Sequence, residues 1–158
     1  SDVCSSDLHV TTKFIGEWPD SRLDEMKDTL AAIARPAPFP IGLDGLGWFP
    51  NPHQPRIFWI GVSAPAALAE LAAATEAAVE RAGIPREDRP FRPHLTLARL
   101  NGIERAELVA LRQAVAALDS SHYGSFPVEA FHLYLSKMGP GGSQYSKLAS
   151  YQLGADSR

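Results

Sequence analysis

The chain has 158 residues, 45% of them hydrophobic, and its 15 basic and 18 acidic side chains leave a net charge of −3. That apolar content can fill a sizeable core and excludes a disordered or fibrous chain, so one domain spanning 1–158 is expected. No apolar run approaches the ~20 residues of a membrane helix, and no basic-then-apolar leader opens the sequence. The single cysteine, Cys4, has no disulfide partner within the chain, and no Cys/His cluster has zinc-ligand spacing. These features predict a reducing, cytoplasmic setting with no membrane and no metal. A negative net charge argues against wrapping long nucleic acid non-specifically, but leaves room for one phosphate in a small pocket.

In chain order, residues 8–15 (LHVTTKFI) have the composition of a strand. Pro19-Asp20-Ser21 then signals a helix start, and Leu23, Met26, Leu30 and Ile33 fall on one helical stripe that ends at Arg35-Pro36-Ala37-Pro38. Residues 39–49 and 56–62 are rich in aromatic and β-branched side chains; the turn Pro50-Asn51-Pro52 makes them a hairpin. An alanine-rich helix over about 65–82 closes at Gly83 and Pro85. FRPHLTLARL (91–100) is a further strand, followed by a helix with Leu108, Leu111, Val115 and Leu118 on one stripe. Phe126, Val128, Phe131 and Leu133 mark another strand, and Tyr145–Leu153 a last one.

The second half repeats the first. His9, Thr11, Leu23, Met26, Leu30 and Ile33 correspond to His94, Thr96, Leu108, Leu111, Val115 and Leu118, each pair 85 positions apart in the printed sequence. The match continues from Ile41, Leu43, Leu46 and Trp48 to Phe126, Val128, Phe131 and Leu133. A period this long is no solenoid; it is an internal duplication of a β-α-β-β unit. The expected fold is α+β, with a first lobe over about 8–63, a linking helix over about 65–83 and a second lobe over about 91–153, related by an approximate two-fold axis. By the same symmetry, a strand and a helix are expected ahead of residue 1.

Two H-x-T motifs stand at equivalent points of the two copies. With five histidines and five threonines, chance places only about 0.2 histidines two positions before a threonine. Residues i and i+2 of a strand share a face, so each motif offers an imidazole beside a hydroxyl. A two-fold axis would bring both pairs to one cleft, where one imidazole can give a proton while the other takes one. In-line displacement at a phosphodiester needs that pairing, on opposite sides of phosphorus. The competing readings are weaker. A lone H-x-T is more often a packed strand histidine, and a two-histidine metal site would want a third ligand that neither strand supplies at i±2. His53 and His122 look like solvated loop residues, and His132 like a structural strand residue.

The segments HVTTKFIGE (9–17) and FRPHLTLAR (91–99), with GLGWFP (45–50) between them, resemble the two-histidine phosphoesterases. Within these the likeness is to the RNA 2′,3′-cyclic phosphodiesterases, the LigT-like proteins historically called 2′-5′ RNA ligases, and it covers nearly the whole chain. The resemblance implies two pseudo-symmetric lobes around a central cleft and hydrolysis of a 2′,3′-cyclic phosphate to a 2′-phosphomonoester, without metal or other cofactor. It implies His9 and His94 as general acid and base, Thr11 and Thr96 as phosphate-contacting hydroxyls, Arg99 as a substrate contact and Phe14 as a ring for a nucleobase. RNA 3′ ends or small cyclic nucleotides would be the substrates, and the protein a monomer. Thr12 departs from the pattern, which has an apolar residue there. Strict alternation would also turn Arg99 and Phe14 away from the imidazoles, unless a bulge re-aims them or they act from the strand end. Alternatives are a non-catalytic binder of nucleotides or RNA ends, and a phosphodiesterase for another cyclic phosphate such as one of ADP-ribose.

Overall fold

The computed structural model describes residues 9–118, 121–139 and 142–154. A short 3₁₀ turn at Asp20–Arg22 is followed by α1 (Leu23–Ala31), β1 (Phe39–Phe49), β2 (Ile57–Ser63), α2 (Ala66–Arg81), β3 (His94–Arg99) and α3 (Arg105–Ala116). β4 (His122–Val128), β5 (Ala130–Gly139) and β6 (Gly142–Gln152) complete an α+β chain. Two compact units are present. Unit 1 takes the chain up to Thr11, Ile41–Ser63 and Arg92–Phe126; unit 2 takes Thr12–Pro40, Ala64–Phe91 and the chain from Pro127 on. Each unit draws on both copies of the sequence repeat.

Unit 1 is built on a sheet in the order β3-β2-β1-β4. β1 and β2 form the expected hairpin, and its turn is held by the Asn51 side chain, which accepts the N–H groups of His53 and Gln54, each at 2.9 Å. One face carries the core: Leu46 stands opposite Ile60, Ile60 opposite Leu95, and Trp48 stacks on Phe58 at 4.6 Å. Ile60 and Leu95 are buried, and each contributes about 1.5–3 kcal/mol by leaving water. α3 follows the sheet with Leu108, Leu111 and Val115 half-buried; the fourth residue of its predicted stripe, Leu118, lies beyond the helix and is exposed.

The ladder is interrupted twice. Between Leu43 and Leu46, Asp44 and Gly45 together face the single residue Gly61, and Gly45 takes φ +74°, which suits glycine. Between Thr96 and Ala98, Leu97 is the extra residue, since Thr96 pairs with Trp59 and Ala98 with Phe58.

Unit 2 packs α1 and α2 around Met26, Leu30, Leu68, Leu71 and Val79, with Met26 and Val79 fully enclosed. α2 ends as its sequence predicts: Gly83 is left-handed (φ +109°), its N–H bonds the Glu80 carbonyl, and the Ile84 N–H returns to the Val79 carbonyl. Buried Ile84 and Val79 complete that Schellman cap. β5 and β6 form a two-stranded antiparallel sheet in which Phe131 stacks on Tyr151 at 4.9 Å. The Tyr151 hydroxyl donates to the Lys27 carbonyl at 2.9 Å, tying β6 to α1.

Two expectations need correction. Residues 8–15 do not form a strand: within the described part only Val10 pairs, in an isolated antiparallel bridge with Leu95, and the chain is irregular from Thr11 to Pro19. Lys13 accounts for part of this. Its ammonium donates to Glu76 Oε1 at 2.8 Å and to the Pro85 carbonyl at 3.1 Å, an anchorage through a side chain in place of a ladder, and Gly16 then turns with φ +83°. The strand expected through Phe126 and Leu133 is two strands, broken at Glu129. Glu129 is the repeat partner of Asp44, so both copies interrupt their strand at the same point.

Candidate functional site

Unit 1 brings both H-x-T motifs together. In an antiparallel bridge the paired residues share one face and their neighbours share the other. With Val10 opposite Leu95, His9 stands opposite Thr96 and Thr11 opposite His94, all four on the face away from buried Leu95. Directly opposed side chains are about 5 Å apart at Cβ and diagonal ones about 7–8 Å, so the two imidazoles sit diagonally with a threonine beside each. That gap suits one phosphate group. His9 and Thr96 are half-buried, whereas Thr11 and His94 are exposed.

His94 is oriented from behind. Its Nδ1 lies 3.0 Å from the Arg92 carbonyl, which can only accept, so in the neutral ring Nδ1 carries the proton and Nε2 holds the free lone pair. Opposite His94 across β2 is Gly61, which leaves room for the imidazole.

Arg99 is re-aimed by the bulge. Three residues separate it from Thr96, which in a regular strand would reverse its face. Leu97 takes up the extra position: Thr96 pairs with Trp59 and Arg99 with Ile57, and Trp59 and Ile57 share a face of β2. Arg99 therefore projects from the same side as His94 and Thr96. Phe14 does not join this sheet; it belongs to unit 2, in the irregular stretch after the first motif, and is 78% exposed.

The other histidines lie elsewhere. His53 is exposed in the β1–β2 turn. His122 is not a free loop residue; it opens β4 and its Nδ1 is 2.6 Å from Asp44 Oδ1. His132 Nδ1 meets Ser150 Oγ at 2.9 Å across β5 and β6. Burial, with a smaller contribution from the Lys147 charge, lowers the His132 pKa below its ordinary value. Among the described residues no three His, Cys, Asp or Glu side chains gather as metal ligands, and no helix is long and apolar enough to cross a membrane.

One member of this face was missed by sequence reasoning. The indole of Trp59, opposite Thr96, lies 6.2 Å from the His94 ring, centroid to centroid, and spreads over Gly47 of β1, which has no side chain to obstruct it. The alternation in RIFWIGV sets Trp59 with Ile57 and Gly61, but both faces of that strand are apolar, and nothing in the composition marks which one meets the motifs.

The likeness to known proteins runs through most of the chain. Residues 5–139 match the sequence model of the 2′-5′ RNA ligase superfamily. An Archaeoglobus fulgidus protein named RNA 2′,3′-cyclic phosphodiesterase is 31% identical over 145 residues, 92% of this chain and 79% of its own length. One of the same name from Thermus thermophilus is 33% identical over 92% of this chain and 72% of its own. Among solved structures, a Thermus thermophilus protein superposes with a TM-score of 0.76 at 32% identity, covering 93% of this chain and 78% of that one. Escherichia coli LigT complexed with 3′-AMP superposes with a TM-score of 0.73 at 27% identity, over 96% and 80%.

Proposed function

Because the chain belongs to the 2′-5′ RNA ligase superfamily, we propose that it hydrolyses RNA or nucleoside 2′,3′-cyclic phosphates to 2′-phosphomonoesters, with His9 and His94 as the acid–base pair. The observation that carries this reading is the antiparallel Val10–Leu95 bridge, which sets two imidazoles and two hydroxyls on one face with diagonal symmetry. One imidazole takes a proton from water as its oxygen bonds to phosphorus. The other gives a proton to the 3′ oxygen as the P–O3′ bond breaks. The products are a free 3′-hydroxyl and a phosphate retained on the 2′ oxygen, and solvent restores the two protonation states. The Thr11 and Thr96 hydroxyls donate to the non-bridging oxygens, where charge gathers in the transition state. Arg99 adds a fixed positive charge on the same face.

This chemistry asks for no metal or other cofactor, and the reading includes a monomer working in the cytoplasm. A positioned general acid or base contributes about 10²–10⁴-fold. His9→Ala and His94→Ala are therefore expected to slow opening of a nucleoside 2′,3′-cyclic phosphate by ~100-fold or more each, with wild-type turnover unaffected by a chelator. The pH–rate profile of the wild type is expected to be bell-shaped, with one limb lost in each variant. Turnover unchanged by both substitutions would end the proposal, and tight binding of a 2′-phosphate product without turnover would make the protein a binder of RNA ends.

A further inference from the structure

All the basic residues of unit 1 are arginines: Arg56, Arg92, Arg99, Arg105 and Arg112. Their environment differs from that of Arg22 and Arg86 of unit 2, which are paired with Glu25 and Glu80. Among the described residues, no guanidinium of the five in unit 1 meets a carboxylate or any other hydrogen-bond acceptor. Three of them, Arg56, Arg105 and Arg112, line one concavity of about 750 Å³ together with His53, Gln54 and Leu100. No carboxylate lines it; Glu104 and Glu107, on the same stretch of chain, stay outside. Gathering like charges in a hollow costs energy unless an anion is to be held there, and the planar fork of arginine suits phosphate oxygens.

The position of the hollow says which anion. Leu100 immediately follows Arg99, and its N–H bonds the Arg56 carbonyl at 2.8 Å, so the concavity begins where the motif strand ends. From His94 to Leu100 the chain runs about 20 Å at the rise of a strand. A single nucleotide held at the two histidines does not reach that far, whereas the backbone of a longer strand does. Arg99 lies on the motif face, whereas Arg56 and Leu100, next in sequence to Ile57 and Arg99, fall on the other face, so a strand that reaches the hollow passes Arg99 and rounds the end of the sheet.

We propose that this arginine-lined hollow binds the backbone phosphates of single-stranded RNA a few nucleotides upstream of the reacting end. The inference rests on the reading of the substrate as an RNA end. It deepens that reading by making strand length a determinant of affinity.

The test compares wild type with R105Q/R112Q and with R105K/R112K, which keeps the charge. Three probes are used: a mononucleoside 2′,3′-cyclic phosphate for turnover, and a 2′-mononucleotide and a fluorescent RNA hexamer ending in a 2′-phosphate for binding across a range of salt. The wild type is expected to bind the hexamer at least tenfold more tightly than a 2′-mononucleotide. The glutamine variant should lose most of that preference and about 1.4 of the logarithmic salt slope, since each phosphate contact to a single strand contributes ~0.7. Its kcat/KM on the mononucleotide should stay within twofold of wild type, and the lysine variant should keep most of the hexamer preference. Hexamer affinity and salt slope unchanged in R105Q/R112Q would overturn the proposal, as would an equal loss of affinity for the hexamer and for the 2′-mononucleotide. Absence of mononucleotide turnover in the wild type would count against the catalytic reading alone, because the binding comparison still decides the hollow.

Discussion

Replacing Gly47 by alanine tests whether the motif face is built around one indole. Gly47 stands directly opposite Trp59, and a Cβ there would come within 2.5 Å of Cε2 and closer still to Cζ2 and Cη2. Unbonded carbons keep about 3.5–4.0 Å, so the ring must move by ~1 Å or more, or the strands must part. The backbone of Gly47 is not left-handed, so alanine carries no dihedral penalty there and restricts the unfolded chain in its favour. The cost is therefore steric. Overpacking costs about 1–3 kcal/mol, and the upper end, about 2–3 kcal/mol, is expected here because three atoms of a rigid ring meet the new methyl. In a Trp59→Ala background the same substitution should cost nothing or stabilise slightly, a coupling of about 2 kcal/mol between the two positions. Urea unfolding of the wild type, both single variants and the double variant measures it. Equal destabilisation by Gly47→Ala in both backgrounds would refute the contact. Because the indole lies 6.2 Å from the His94 ring, Gly47→Ala should also slow turnover.

For Glu76, burial pushes the carboxyl up, but the Lys13 hydrogen bond, the Glu87 N–H and the charges of Lys13 and Arg86 outweigh it and hold the pKa below the ordinary 4.5. The folded state thus releases this proton more readily than the unfolded one; its contribution is complete above about 4.5 and is lost as pH falls through the lowered value. Glu76→Gln should cost about 1–3 kcal/mol at neutral pH, between an exposed and a buried pair, and urea unfolding should show the gap narrowing in acid. A gap that stays constant would contradict the ion pair as its source. Arg99→Ala should raise the KM for a cyclic phosphate by about tenfold and change kcat by only a few-fold, read from steady-state rates; an unchanged KM would put Arg99 outside the site. Met26→Ala, which empties a fully enclosed position, should lower stability by about 2–5 kcal/mol by thermal unfolding, and a loss under 1 kcal/mol would mean that α1 and α2 are not packed around it.

The site was legible where local rules suffice. The spacing His-x-Thr and the repeat at 85 positions needed only alternation and symmetry, and the Val10–Leu95 bridge has the antiparallel arrangement they imply. The hairpin of β1 and β2 and the ends of α2 followed from proline, asparagine and glycine at turn positions. What escaped depends on partners distant in sequence. Lys13 sits in a run of strand-forming residues, but Glu76, 63 positions away, takes its side chain. Trp59 could have belonged to either face, and only the neighbouring strand decides. The duplicated copies also suggested sequential lobes, whereas each compact unit gathers segments from both.

The bulge at Leu97 changes what motif spacing means in this fold. Thr96 and Arg99 are held by Trp59 and Ile57, two residues apart on an uninterrupted strand, so the interval that matters is counted on β2. A chain with Leu97 deleted would keep the arginine on the same side, now two residues after the threonine instead of three. Search patterns written with a fixed gap would miss that shorter form, although the two present the same surface. The arginine of the second motif is thus set in space by β2 and not by its count of residues from the threonine.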